Sequence, residues 1–278
     1  MKKNSRFVFL LAALVCIMLL AGCAESKDEP VSPMPTVSAA PETAPVPTAE
    51  VTATPDPEPA AEPEELTPAQ RAAAKGLPEP PNVDVSSWEF KIVNSYNNIL
   101  RNAPPYAGIE GQGIDSRIFD ITCQLLADAR AAGYPMYLAA AYRNCDFQYT
   151  HFCNLIKQVG NAYEASKILL PPGNSEHQLG LAIDITADPF MNANYSIFDN
   201  YAVLETETYQ WMLDNCADYG FIFRYPEGKE EYYGTDCTAG HFRYVGVEAA
   251  KYITENNLCL EEFVLLYDED IFYAPGIN

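Results

Sequence analysis

Basic charge is scarce in this chain: 17 Lys and Arg stand against 38 Asp and Glu over 278 residues, a formal net charge of −21. That balance argues against nucleic acid or an anionic lipid surface as a ligand, since a polyanion is repelled by an acidic domain. Histidine is scarcer still, with three in all. No Cys-x-x-Cys spacing occurs, so the common all-thiolate zinc frameworks are excluded. The sequence has no internal repeat, which removes solenoids and propellers. Its longest apolar run, 7–20, is too short to span a bilayer as a helix.

That run has a different reading. Lys2, Lys3 and Arg6 precede it and Leu20-Ala21-Gly22-Cys23 closes it, the pattern of a signal peptide over 1–22. The ending resembles a bacterial lipobox, which implies cleavage before Cys23 and a diacylglyceryl group on its thiol. From 24 to 81 the composition turns to Pro, Ala, Thr, Glu and Val with almost no aromatic residues. Such a segment buries too little apolar surface to offset its ordering entropy, so 23–81 is expected to be a lipidated, disordered tether. Its prolines make it stiff and extended, reaching on the order of 180 Å. The expectation is a monomeric domain outside the cytoplasm, lipid-anchored to a bacterial membrane and facing the cell wall. The remaining residues, 82–278, carry about −16 of the charge and are enough for one domain with a full core.

Within that domain, Ile118, Ile121, Leu125 and Ala129 repeat at helical spacing over 116–133, with Gly133 as a stop signal. Residues 136–141 form a short apolar run that reads as a buried strand, ending at the turn Tyr142-Arg143-Asn144. Helices are expected over 147–159, 162–169, 206–219, 247–255 and 260–267, and strands over 181–186, 221–225 and 238–245. Pro171-Pro172-Gly173-Asn174 forces a loop between them. Helices come first and antiparallel strands later, so the class is α+β, a small antiparallel sheet with helices packed on it.

Two of the three histidines fall in chemically dense segments: His177 in Ser175-Glu176-His177-Gln178-Leu179-Gly180-Leu181-Ala182-Ile183-Asp184, and His241 in Gly240-His241-Phe242-Arg243-Tyr244-Val245-Gly246. Two imidazoles and a carboxylate are the ligand set of an open zinc site that leaves a position for water or substrate. His177 and Asp184 are seven residues apart, which on an ideal strand puts them on opposite faces, so a turn near Gly180 is required.

Taken in order, Ala141-Tyr142-Arg143 with Gln148, the 175–184 block, Phe221-Ile222-Phe223-Arg224-Tyr225-Pro226-Glu227-Gly228-Lys229, and His241-Phe242-Arg243-Tyr244-Val245-Gly246 resemble the VanY-type D-alanyl-D-alanine carboxypeptidases. The resemblance runs over about 92–267 and implies a Hedgehog/DD-peptidase-like zinc fold. It implies that His177, Asp184 and His241 hold Zn2+, that Arg143 grips the C-terminal carboxylate of a peptidoglycan stem peptide, and that Ser175 and Gln148 assist it. A guanidinium fork suits that carboxylate geometrically. The family's general base is a Glu three residues before the last His ligand. In this chain that position is Thr238.

A threonine hydroxyl does not take up a proton near neutral pH, and losing a positioned acid–base group costs a factor of roughly 10² to 10⁴. Asp236, two residues earlier and on the same face of an extended segment, is a candidate substitute, and Glu176 is another. The plain reading of both is a solvated surface carboxylate. The leading expectation is a zinc carboxypeptidase that removes terminal D-alanine by D,D or L,D cleavage. The alternative is a zinc-retaining pseudoenzyme that binds wall peptides without cutting them, as the Hedgehog signalling domain keeps its zinc for a non-peptidase role. A vestigial adhesive domain is a third reading, which the intact His177, Asp184, His241 and Arg143 oppose.

Six cysteines, Cys123, Cys145, Cys153, Cys216, Cys237 and Cys259, lie in the domain, an even number that in an exported protein permits up to three disulfides. A Cys145–Cys153 bridge would stiffen the segment after Arg143, and a Cys216–Cys237 bridge would pin the strand carrying His241. The third histidine, His151, reads as a helix surface residue. Arg243 and Tyr244 read as packing and hydrogen-bonding support for the site.

Overall fold

The computed structural model describes residues 65–99, 104–188, 190, 204–235 and 240–270. The signal and lipidation segment, including Cys23, and the tether up to residue 64 lie outside them. Among the described residues, no helix is long and apolar enough to cross a membrane.

The folded region begins earlier than the composition suggests. Helix α1 (Pro68–Ala74) opens with a capping box in which Thr67 and Gln70 satisfy each other's backbone donors, and Pro68 stands at the first helical position. Ala72 is fully buried against α7 (Val247–Glu255) and α8 (Leu260–Val264), and Arg71 donates to the carbonyls of Leu266 and Tyr267. Downstream, Tyr252 and Tyr267 donate their hydroxyls to the carbonyls of Pro78 and Pro81 at 2.7 and 2.5 Å. Residues 65–81, expected to be the end of the tether, are therefore part of the domain. Prolines that look like disorder in composition serve here as hydrogen-bond acceptors.

A two-stranded hairpin follows, β1 (Tyr106–Ile109) and β2 (Gln112–Asp115), which the hydrophobic pattern did not disclose. Its two-residue turn, Glu110-Gly111, has φ of 50° and 80°, the double left-handed geometry that matches strand twist. Glu110 accepts that strain because its carboxylate is engaged: it pairs with Arg130 and accepts from the Leu138 amide. Helix α2 (Phe119–Ala131) buries Thr122, Leu125, Leu126 and Ala129. Ile118, Leu125 and Ala129 of the expected stripe are buried and Ile121 is partly buried against the same core, with Thr122 beside it fully buried and its hydroxyl satisfied by the Ile118 carbonyl at 2.7 Å.

The main sheet has four strands, all antiparallel, in the order β3 (Tyr137–Ala140), β4 (Ala182–Thr186), β6 (His241–Tyr244), β5 (Phe221–Phe223). Helices α3 (Cys145–Val159), α4 (Ala162–Ile168), α5 (Glu207–Asn215) and the short α6 (Glu230–Tyr233) complete the α+β arrangement. The 206–219 helix is divided, continuing beyond Asn215 as a 3₁₀ turn to Tyr219.

Period-two alternation sorts the central strands. Ile183, Ile185 and Phe242 face the larger core, built with Leu125, Leu138, Met212 and Phe221. Asp184, His241 and Arg243 therefore project from the other face. Register then fixes the pairing, because Asp184 lies directly opposite His241 across the β4–β6 ladder. Cross-strand neighbours have Cβ atoms ~5 Å apart, close enough for a carboxylate and an imidazole to meet.

Candidate metal centre and carboxylate clamp

His177 comes from a 3₁₀ turn, Glu176–Leu179, whose four residues are all buried. Gly180 ends the turn at φ +72°, and this left-handed residue lets the chain swing from His177 into β4 so that His177 and Asp184 meet. A side chain there would also press on the Asp115 backbone nitrogen at 3.0 Å. The required turn near Gly180 is present, and its packing against β2 explains why only glycine fits.

Three ligand atoms converge, all within 4.8 Å of one another: one each from His177, Asp184 and His241. His177 Nε2 lies 3.2 Å from Asp184 Oδ2 and His241 Nδ1 2.8 Å from Asp184 Oδ1. The rings meet edge to face at 4.9 Å between centroids. Ligands ~2.0 Å from a tetrahedral zinc are ~3.3 Å from one another, so these separations suit such an ion. All three residues are 5 % exposed or less. His177 Nδ1 is 2.6 Å from the Ala141 carbonyl, which fixes the proton on Nδ1 and leaves the Nε2 lone pair directed into the cluster. Burial and the nearby Arg143 push the His177 imidazole down to about 4, which keeps it neutral as a ligand must be. Burial alone would raise the Asp184 carboxyl, but the two histidines hold it well below the usual carboxylate range.

Arg143 follows β3 and is anchored through its backbone, donating its amide to the His177 carbonyl at 3.1 Å. Tyr142 similarly donates to Gly113 of β2, so the hairpin braces the segment that carries Arg143. The Arg143 side chain is 8 % exposed, with Nη2 3.7 Å from Asp184 Oδ2. Its Nε and Nη1 are buried without a hydrogen-bond partner among the described residues. Buried charged donors left unpaired are costly, and a bound anionic group would complete them.

The helpers expected around Arg143 take defined positions. Gln148 is fully buried in α3 and spends its amide nitrogen on the Leu170 carbonyl at 2.6 Å, while its Oε1 has no partner among the described residues. Gln178 accepts from the Gly173 amide at 2.6 Å, so two glutamines hold the Pro171–Pro172–Gly173 loop that delivers Ser175. Ser175 precedes the 3₁₀ turn and is 4 % exposed. Thr238 and Asp236 lie outside the described residues, as does Cys237.

Glu176 is not a solvated carboxylate. It is 1 % exposed, and its Oε1 accepts from Arg224 Nε at 2.8 Å and from Arg243 Nη1 at 2.5 Å. Arg224 in turn makes a two-pronged pair with buried Glu261, which also accepts from Asn94 at 2.8 Å. Burial would raise the Glu176 acid, but the two guanidinium groups hold it well below the usual carboxylate range. A carboxylate so stabilised is a poor proton acceptor, which removes Glu176 as a substitute base. Tyr225 closes the site from β5's side, stacked on the His241 ring at 5.2 Å. Arg243 acts in support, as expected, adding bonds to the carbonyls of Glu89, Lys91 and Tyr244. Sequence reasoning missed Arg224, Tyr225 and Glu261, although the buried Arg-Tyr pair after an aromatic strand was visible as a motif.

Among the described residues the cysteines do not bridge: Cys123, Cys145, Cys153, Cys216 and Cys259 are free thiols. Cys145 and Cys153 sit on the same helix, α3. His151 also lies on α3, half-buried and tilted against Phe147 at 4.8 Å, and is not one of the three clustered residues.

Comparison with known proteins gives a consistent result. The family described as VanY: D-alanyl-D-alanine carboxypeptidase matches residues 112–247. A D-alanyl-D-alanine carboxypeptidase of Enterococcus faecalis is 34% identical over 195 residues, covering 65% of this chain and 67% of the relative. Among solved structures, a VanY D,D-pentapeptidase glutamate-to-alanine mutant in complex with Zn(II) is 34% identical, covers 64% of this chain and 99% of that one, and superposes with a TM-score of 0.55. The LD-carboxypeptidase LdcB, whose structure is described as revealing the molecular basis of peptidoglycan recognition, is 30% identical over 64% of this chain and 86% of that one, with a TM-score of 0.50.

Proposed function

The chain belongs to the VanY family of zinc-dependent D-alanyl-D-alanine carboxypeptidases, and on that premise we propose that it removes the terminal D-alanine from peptidoglycan stem peptides, with His177, Asp184 and His241 as the metal ligands. One observation carries the substrate assignment: a buried guanidinium, Arg143, with two donors that have no partner among the described residues, beside the ligand cluster. A peptide's terminal carboxylate supplies the acceptors that those donors lack. The scissile bond one residue further in is then presented to the metal site.

Zinc, when bound, supplies Lewis acidity toward the scissile carbonyl and a water acidic enough to attack it near neutral pH. The chain's own residues do the rest. Ala141 fixes the His177 tautomer through Nδ1. Arg143 sets the register of the peptide, so that endopeptide bonds lacking a nearby carboxylate are not positioned for cleavage. Gln148 and Gln178 hold the loop that places Ser175 beside the bound peptide. Thr238 occupies the family's base position and cannot take the proton itself. Glu176 is committed elsewhere, so we assign the proton-accepting role to Asp236.

We further propose that 1–22 is a signal peptide, that Cys23 is lipidated and that the segment before Thr67 is a tether holding a monomeric domain in the wall. The basic start, the apolar run ending in Leu-Ala-Gly-Cys and the Pro/Ala/Thr/Glu composition support this.

The test uses zinc-quantified protein lacking 1–22, incubated with stem peptides ending in D-Ala-D-Ala and in a single D-Ala. Released D-alanine is expected from one of the two, absent in His177→Ala and reduced by at least tenfold in Asp236→Asn. If zinc-loaded wild type binds both peptides and cuts neither, while Thr238→Glu cleaves, the chain is a wall-peptide binder and the enzyme reading is lost.

A further inference from the structure

Both ring nitrogens of His241 are spoken for by geometry, but on opposite sides of the ring. Nδ1 faces Asp184 Oδ1 and the ligand cluster at 2.8 Å. Nε2 faces away from it, toward Glu176 Oε2 at 3.5 Å, and neither of these two buried atoms has a hydrogen bond to any other described group. Two buried polar atoms facing one another without other partners are satisfied together by a single proton between them. We infer that Glu176 is a positioning residue for the metal centre: its Oε2 holds the proton of His241 on Nε2 and thereby commits the Nδ1 lone pair to zinc. The inference rests on the zinc-site reading above and extends it to the residue immediately before a ligand.

The surroundings are built for this role. Glu176 Oε1 is consumed by Arg224 and Arg243, which fixes the carboxylate plane and leaves only Oε2 turned to the imidazole. Arg224 is itself held by Glu261, and Arg243 by three backbone carbonyls, so the carboxylate is clamped from behind by groups that do not depend on it. One 3₁₀ turn therefore contributes a ligand and the support of the other ligand. The two histidines use opposite nitrogens: His177 is backed through Nδ1 by a neutral carbonyl, and His241 through Nε2 by an anion. An anionic acceptor behind an imidazole raises its basicity as a ligand, so Glu176 is expected to strengthen zinc binding without touching the ion or the peptide.

The experiment has two readouts besides activity. Long-range ¹H–¹⁵N correlation spectra of zinc-loaded wild type are expected to show His241 protonated at Nε2 and His177 at Nδ1. Zinc affinity, measured by competition with a chromophoric chelator, is expected to fall by roughly 10- to 100-fold in Glu176→Gln. Arg224 and Arg243 keep their other acceptors in that variant, so it should fold, which circular dichroism checks. His241 protonated at Nδ1 in the wild type, or a Glu176→Gln zinc affinity within twofold of wild type, overturns the inference. If the variant does not fold, the wild-type spectra alone decide. Wild type that binds no zinc at all would instead overturn the metalloenzyme reading, so the two failures are distinguishable.

Discussion

Replacing Arg143 by methionine separates a binding role from a structural one, because the two predict opposite signs. The guanidinium is buried with Nε and Nη1 unpartnered among the described residues, and its one ion-pair contact, to Asp184, is a loose 3.7 Å. If it stands ready for a carboxylate, Arg143→Met removes a buried charge whose hydrogen bonds are incomplete while filling much of the same volume. Stability should then hold or rise, since each buried donor left unpaired costs ~1–3 kcal/mol. Binding should suffer in the other direction. A charge-assisted interaction with the terminal carboxylate is worth about 1.5–3 kcal/mol, which is roughly a tenfold to 150-fold rise in Kd. Isothermal titration of a stem peptide ending in D-Ala-D-Ala into zinc-loaded protein measures this without requiring turnover. The same peptide with a C-terminal carboxamide completes the cycle: wild type should lose a similar factor on amidation and Arg143→Met should be nearly indifferent to it. A fall in Tm of more than about 5 °C, or a Kd within threefold of wild type for the free-acid peptide, would refute the reasoning. For a domain of this size ~1 kcal/mol corresponds to ~2–4 °C, so such a fall would mean that Arg143 is holding the fold together.

Gly180→Ala should destabilise the domain by about 1–3 kcal/mol, because an L side chain is placed at φ +72° and its Cβ meets the Asp115 nitrogen at 3.0 Å. Urea titration gives the value, and zinc affinity should fall with it since this residue joins the two ligand segments; a loss below about 0.5 kcal/mol would mean the turn tolerates a side chain. Burial pushes the Cys216 thiol up to about 12 and raises Cys259 as well, so at pH 8 neither forms appreciable thiolate in the native fold. Both should resist iodoacetamide until denaturant is added, while half-buried Cys145 and Cys153 react first, as peptide mass mapping would show; a native Cys145–Cys153 disulfide in the purified protein would contradict the free thiols.

How far the sequence reaches can be judged residue by residue. The candidate His-Asp-His cluster was legible because histidine is rare here, so His177 and His241, each set in a distinctive block, stand out against their background. The order α2, β3, α3, α4, β4, α5, β5, β6, α7, α8 followed from hydrophobic period and punctuation, both local properties. The β1–β2 hairpin did not, since its turn uses Glu110, a residue with no local preference for left-handed backbone; Arg130 and the Leu138 amide make that conformation tolerable from a distance. Helix α1 was hidden by the proline- and alanine-rich composition around it and is stabilised by burial of Ala72 against helices that come some 180 residues later.

Glu176 marks the boundary most clearly. Sequence alone determined the donor set, the α+β class and the requirement for a turn at Gly180, because these depend on residue type and on backbone periods of 2 and 3.6. It read Glu176 as a surface carboxylate or a spare base, since a lone acid beside a histidine carries no local sign of what surrounds it. Tertiary structure decided that Arg224, Arg243 and Glu261, contributed by distant segments, enclose it. Burying an unpaired charge is costly, so the role of this carboxylate was set by which cations and which imidazole the fold brings to it.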